Sequence, residues 1–357
     1  MRTFVPAGAA DAGAAADGPS PSWGIRGAVR LAFPHPAALA ADPVHTGRLR
    51  RYLTDLLRPY GRELDPGALG PDAVHRGGQV YGEMAEALIR ATVPAGESVD
   101  LLVLAYSVPD ITPGRATTTY LSHVCPGTPM AFAVSDQGPA SAFTALRLVD
   151  AYARSGGLRR ALLLVVEQDS LPYDPGVPVN MPTGSRGVAL LFGEPLPGER
   201  VARISRAATR TLPADCSTVS SADASIGSPA AALATELGRL GLLRDDPLGD
   251  DLLRDDPLRD DPATVTAILG ATAAVGAAHR WPEGLRLADT GQPGTGVWWE
   301  LAGELAEPPA GPHRLLLADY DAGARRLSLA TVSLDDLHGL HGLDDLDDLD
   351  GDGGVPR

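Results

Sequence analysis

The chain has no lysine: all 30 of its basic residues are arginine. That excludes Schiff-base chemistry and a Walker-type phosphate loop, both of which need a lysine amine. Aromatic residues make up only 5% of the chain, so a core must be assembled from Ala, Val and Leu. Cysteine occurs twice, at Cys125 and Cys216, too few for a disulfide framework and in no zinc spacing. A reducing cytoplasm is the expected compartment. No apolar run approaches the roughly 20 residues of a membrane span; the longest is ALLLVV at 161–166. No basic stripe is present either, so neither a membrane nor nucleic acid is expected as a partner.

Most of the net charge lies in two places. Residues 242–262 hold eight Asp against three Arg, and residues 335–357 hold eight Asp against one Arg. These segments carry −12 of the net −15, leaving −3 on the rest. The first is a ten-residue motif in two copies (LLRDDPLGDD, LLRDDPLRDD), too few to stack as a solenoid, and reads as a solvated insertion. The second belongs to an acidic disordered tail over 334–357. Asp348, Asp350 and Asp352 there have the spacing that opens a calcium loop. The glutamate such a loop needs at its twelfth position does not follow, and no metal is expected. The Ala/Gly/Pro/Ser-rich start, residues 1–22, reads as a disordered leader; its acidic residues and missing apolar stretch argue against a signal peptide.

Between these segments strand and helix patterns alternate. WGIRGAVRLAF (23–33), LLVLAYSV (101–108), AFAVS (131–135), LRRALLLVVEQ (158–168) and GSRGVALLFGE (184–194) read as strands. VYGEMAEALIRATV (80–93) and SAFTALRLVDAYARSG (141–156) have helical spacing, the second closed by Gly156 and Gly157. After residue 200 the alternation returns: strand ARISRAATR, helix SPAAALATELGRLG, strand TVTAILGA, helix GVWWELAGELAE, then strands HRLLLADYD and RRLSLATVSL. This predicts an α/β fold of two similar halves, 23–199 and 200–333, with the 242–262 insertion in the second.

The segments IRGAVRLAFP, VDLLVLAYSVPD, FAVSDQGPASAFTALRLVDAYARSGGLRRALLLVVEQ, GSRGVALLFGE, TGQPGTGVWWELAGELAE and HRLLLADYDAGARRLSLATVSL resemble, in order, those of beta-ketoacyl-acyl carrier protein synthase III, in the thiolase superfamily. The resemblance covers about residues 23 to 333 and implies a thiolase-type layered sandwich of two pseudo-repeated halves. It also implies a dimer through the strand near 131–135 and the loop before it. That family condenses acyl units with a cysteine at a helix N-terminus, a histidine and an asparagine. None of the three carries over. The cysteine position falls on Gly138 counted from the strand or Pro139 counted from the helix; the histidine position falls near Ala271; the asparagine position falls on Gln292. Loss of all three removes decarboxylative condensation.

The segment in place of the nucleophile is Gln137, Gly138 and Pro139. In chain-length-factor subunits of aromatic polyketide synthases a glutamine stands there, and the resemblance implies that Gln137 holds the pocket open without reacting. Gln137 equally suits a cap on the following helix. Trp298 and Trp299, where the family has small residues, would put one indole into the acyl pocket beside Gln292; repacking of the core explains them equally well. The leading expectation is therefore a non-condensing synthase III-like subunit of a specialised acyl or polyketide pathway. It would need no cofactor, would form a homodimer or a heterodimer with an active synthase III-like paralogue, and would shape that paralogue's acyl pocket. The alternative is an acyltransferase or thioester hydrolase acting on acyl-CoA or acyl carrier protein thioesters. Its nucleophile would be Ser135 or Ser141, with His123 or Asp136 as the base.

Overall fold

The computed structural model describes residues 23–334 apart from 36, 38–41, 65–68, 70–78, 113–115, 172, 174, 178, 197–198, 212–263, 271–272, 274–283 and 309–310. The expected leader 1–22, the helix at 228–241, the acidic repeat 242–262 and residues 335–357 of the expected tail lie outside them, as do Cys216 and Ala271.

The first half runs β1 (Gly24–Ala32), α1 (Pro43–Leu57), α2 (Tyr81–Thr92), β2 (Leu101–Ala105), α3 (Thr117–Val124), β3 (Met130–Val134), α4 (Ala140–Arg154), β4 (Arg160–Glu167) and β5 (Arg186–Gly193). The second runs β6 (Ala202–Thr211), β7 (Thr264–Leu269), β8 (Leu285–Leu287), α5 (Gly296–Ala306), β9 (His313–Asp321) and β10 (Arg326–Leu334). The last strand reaches Leu334, one residue past the expected boundary.

The strands form one sheet in the order β3-β2-β4-β5-β1-β6-β10-β9-β7-β8. Read outward from its middle, each half repeats the same arrangement. β1–β5 and β6–β10 are antiparallel, as are β4–β5 and β9–β10. β2 is parallel to β3 and β4, and β7 is parallel to β8 and β9. The two half-sheets meet at a single residue pair, Ile25 with Ala202.

Strand β4 shows why the apolar runs lie where they do. Side chains alternate across a strand, and both of its faces are covered. Ala161, Leu163 and Val165 enter a core with Phe143, Leu146 and Val149 of α4 and Val297, Trp298 and Leu301 of α5. Leu162, Leu164 and Val166 enter a second core with Met84, Ala85 and Leu88 of α2. Helices α4 and α5 form a middle layer shared by the halves: α4 packs on β2, β3 and β4 but also on β6, β9 and β10, and α5 packs on β7, β8 and β9 but also on β1 and β5.

Candidate functional site

The C-terminal ends of β2, β3, β7, β8 and β9 converge with the starts of α4 and α5 around a cavity of about 410 Å³. Ligands of open α/β sheets bind outside the carboxyl ends of parallel strands, and here both halves supply such ends.

The turn from β3 into α4 builds one wall. Two of its residues have left-handed backbone, Asp136 at φ 61° and Gly138 at φ 54°, which turns the chain sharply into the helix. Gly138 and Pro139 line the cavity. The carbonyl of Gly138 accepts from the Ser107 hydroxyl at 2.7 Å, which pins the turn to the end of β2. Gln137 does not line the cavity; its side-chain oxygen accepts from the Thr144 hydroxyl at 2.6 Å, against the body of α4.

The serine candidates lie off the cavity as well. Ser135 donates to the carboxylate of Asp136 at 3.2 Å, and Asp136 is exposed. Ser141 is buried in the first turn of α4, and its hydroxyl has no partner among the described residues. His123 is exposed at the end of α3 and bonds to neither serine. The structure thus joins Ser135 to Asp136 and leaves Ser141 and His123 apart. Cys125 is buried, and burial pushes its thiol up to about 11, which makes it inert at neutral pH.

The other wall is acidic, and no motif in the sequence marks it. Asp319 and Asp321, two residues apart on one face of β9, both reach the cavity. Burial pushes the Asp319 carboxyl up to about 7; the Tyr320 N–H, donating at 2.8 Å, opposes this, and Asp321 and Glu167 add to it. Gly270 follows β7, and a Cβ on it would stand 2.1 Å from the Asp319 Oδ1, so a side chain there would have to displace this carboxylate. Asp321 takes the Ala324 N–H on Oδ1 at 3.0 Å, while its Oδ2 lies 2.6 Å from the place of a Cβ on Gly138. Asp289 pairs with Arg186 at 3.0 Å. Asn180, the only asparagine of the chain, also lines the cavity.

Of the three expected pocket residues only Gln292 is in the lining. Its amide is already engaged, donating to the Gly184 carbonyl at 3.1 Å. Trp298 and Trp299 correct the expectation: neither borders the cavity. Successive helical residues diverge by about 100°. Trp298 accordingly points into the shared core, edge-on to Phe143 with ring centroids 4.9 Å apart. Trp299 points outward between the guanidinium groups of Arg30 and Arg186, at 5.2 and 5.0 Å.

Beneath the cavity the buried Glu167, at the end of β4, accepts from the backbone N–H groups of Gly294 at 2.8 Å and Thr295 at 3.0 Å, and from the Thr295 hydroxyl. Burial raises its carboxyl above the ordinary range despite these bonds. A strand of the first half thereby satisfies the start of a helix of the second. Among the described residues no group of three or more His, Cys, Asp or Glu is arranged to hold a metal, and no helix is long and apolar enough to cross a membrane.

Solved structures with the same architecture include the tetronic acid condensing enzyme AbyA1, with a TM-score of 0.53 and 19% identity over 87% of this chain and 99% of that one. The acyltransferase ChlB3 gives 0.52 and 19% over 88% and 98%. A variant of OleA from Xanthomonas campestris gives 0.53 and 13% over 87% and 98%. The fold is therefore the thiolase-type sandwich, and at these identities the likeness speaks to the fold alone. No family model matches the chain, and no curated protein sequence matches it significantly.

Proposed function

We propose that this chain is a non-condensing synthase III-like subunit of a specialised acyl or polyketide pathway, which pairs with an active synthase and shapes its acyl pocket. One observation carries the reading. Where the turn into α4 meets the cavity it presents Gly138, which has no side chain to react, and Asp321 stands in the space a nucleophile would need. Among the described residues no cysteine and no histidine lines the cavity. Among the described residues the sheet ends at β3, Met130–Val134, which pairs only with β2, so apolar MAFAV offers its other edge to a further strand. A second copy or a paralogue docked there would bring its own cavity close to this one.

The bond between Ser135 and Asp136 supports a second reading, a serine acyltransferase or thioester hydrolase with a carboxylate base. An exposed aspartate is a weak base for a serine hydroxyl, so this reading ranks lower. Intact-protein mass spectrometry after incubation with acyl-CoA and acyl carrier protein thioesters separates the two. The first reading expects no adduct, and co-purification with a catalytically complete synthase III-like partner when the two are co-expressed. An acyl adduct that disappears in Ser135→Ala overturns it.

A further inference from the structure

We propose that the exposed face of α1, with the turn after it, is the docking site of this chain's own segment 335–357, whose leucines cover its apolar residues and whose aspartates pair with Arg48 and Arg51. This goes beyond the proposed subunit pairing and does not rest on it.

Helix α1 turns Leu49, Leu53 and Leu57 inward, yet its outer side is apolar too. Nine large apolar side chains stand exposed among the described residues, and four of them, Val44, Tyr52, Leu56 and Tyr60, fall in this one stretch. Val44, Tyr52 and Leu56 are spaced by multiples of four and share about a third of the helix circumference. Tyr60, 76% exposed, stands in the turn that follows. Apolar residues exposed singly need no explanation, but a cluster of them marks a surface that something covers. The charge here also has one sign. Residues 43–62 hold five Arg against one Asp, which corrects the expectation of no basic stripe. Arg50 donates to the Leu69 carbonyl at 2.7 Å, and Arg58 lies 3.5 Å from Asp55 with both groups in solvent, a pairing worth little. Arg48, midway between Val44 and Tyr52, and its neighbour Arg51 are exposed and make no ion pair among the described residues.

Segment 335–357 complements this surface in both respects. From Leu334 to Leu349 a leucine recurs at every third position, and residues 344–352 hold six Asp and no basic residue. The reach is sufficient. Leu334 ends β10 beside Ala202, which pairs with Ile25 at the start of β1, whereas α1 follows the other end of β1. A nine-residue strand such as β1 spans about 30 Å. About ten residues of extended chain cover that length, which leaves 344–352 for the helix. The bridge between Leu64 and Tyr173 ties the residues after α1 to the loop that brings Val179 and Asn180 to the cavity. The docked segment therefore lies on the cavity side of the sheet. The acidic repeat 242–262 fits less well, because it brings three arginines of its own to a basic face. A second copy of α1 would set arginine against arginine.

The missing lysine supplies the test. A carbodiimide joins an amine to a carboxylate already in contact with it, and the full chain has no lysine side chain of its own to compete. Arg48→Lys and Arg51→Lys keep the positive charge and add one amine each, with circular dichroism confirming that each variant is folded. Peptide mapping by mass spectrometry should find cross-links from both to Asp344–Asp352 within one chain. Their yield should be about tenfold above that from Arg147→Lys, which replaces an exposed arginine on α4. Salt at about 0.5 M should lower the yield severalfold. So should Leu343→Ser, Leu346→Ser and Leu349→Ser combined, which leave every carboxylate in place. Mixing chains of two isotopic compositions separates links within a chain from links between chains. The inference fails if no links form, if they form only between chains, or if they go to 242–262 instead. It fails equally if Arg147→Lys gives the same yield, or if the serine substitutions leave the yield unchanged.

Discussion

A Cβ on Gly138 would stand 2.6 Å from the Oδ2 of Asp321, closer than side-chain atoms approach without displacement. The left-handed backbone of Gly138, φ 54°, adds its own penalty for any other residue, of about 1 kcal/mol. Gly138→Cys should therefore destabilise the chain by about 2 kcal/mol or more in urea denaturation. Combining it with Asp321→Gly should return part of that loss, a coupling of about 1 kcal/mol that independent sites would not show.

Asp319 should make stability depend on pH. Its carboxyl titrates near 7 in the folded chain and near 4 when unfolded, so the native state holds the extra proton between those values. Stability from this group is then greatest at low pH and falls as pH rises through that window. Asp319→Asn should match the unmodified chain near pH 4 and exceed it at pH 8, by on the order of a few kcal/mol. Thermal melts of both proteins across this range measure the difference.

Glu167 ties the first half to the start of α5. Glu167→Ala strands the N–H groups of Gly294 and Thr295, the second of them buried, and leaves a void, for a loss of about 3 kcal/mol. Glu167→Gln keeps one oxygen acceptor but turns an NH₂ toward an N–H, and should fall between. Denaturant midpoints rank the three proteins.

The two tryptophans should behave differently. Trp298→Ala removes a fully buried indole from the shared core and should cost about 3–5 kcal/mol. Trp299→Ala removes a half-buried ring between two arginines and should cost about 1 kcal/mol. Equal losses from chemical denaturation would contradict the placement of both rings.

The parts of the fold that the sequence announces are those whose burial leaves a simple pattern. β4 and β5 are covered on both faces, so they read as unbroken apolar runs; α4 is covered on one side and reads as a stripe. Helix α1 hides because it buries only Leu49, Leu53 and Leu57 among three arginines and other polar residues. Helix α3 opens on three threonines, whose branched side chains are poor helix formers, and β8 is three residues long. At the site, the turn at 137–139 is legible because chain order alone reveals it. Asp319 and Asp321 leave only a faint signal, an acid set twice into the apolar strand HRLLLADYD. Asn180 leaves none, since it reaches the cavity from a loop whose path no local pattern specifies. The orientations of Gln137, Trp298 and Trp299 depend on what packs around them, and the sequence of their own helices does not contain that.

The seam between the half-sheets is one residue pair wide, Ile25 with Ala202. Backbone pairing contributes little across it, so the halves are held by the middle layer, where Phe143 of one meets Trp298 of the other. Neither half can melt without stripping the cover from its neighbour's central helix. For all its internal repetition the chain should then behave as one cooperative body, crossing from native to denatured in a single step. A half made alone would carry a bare apolar helix face into water and should aggregate.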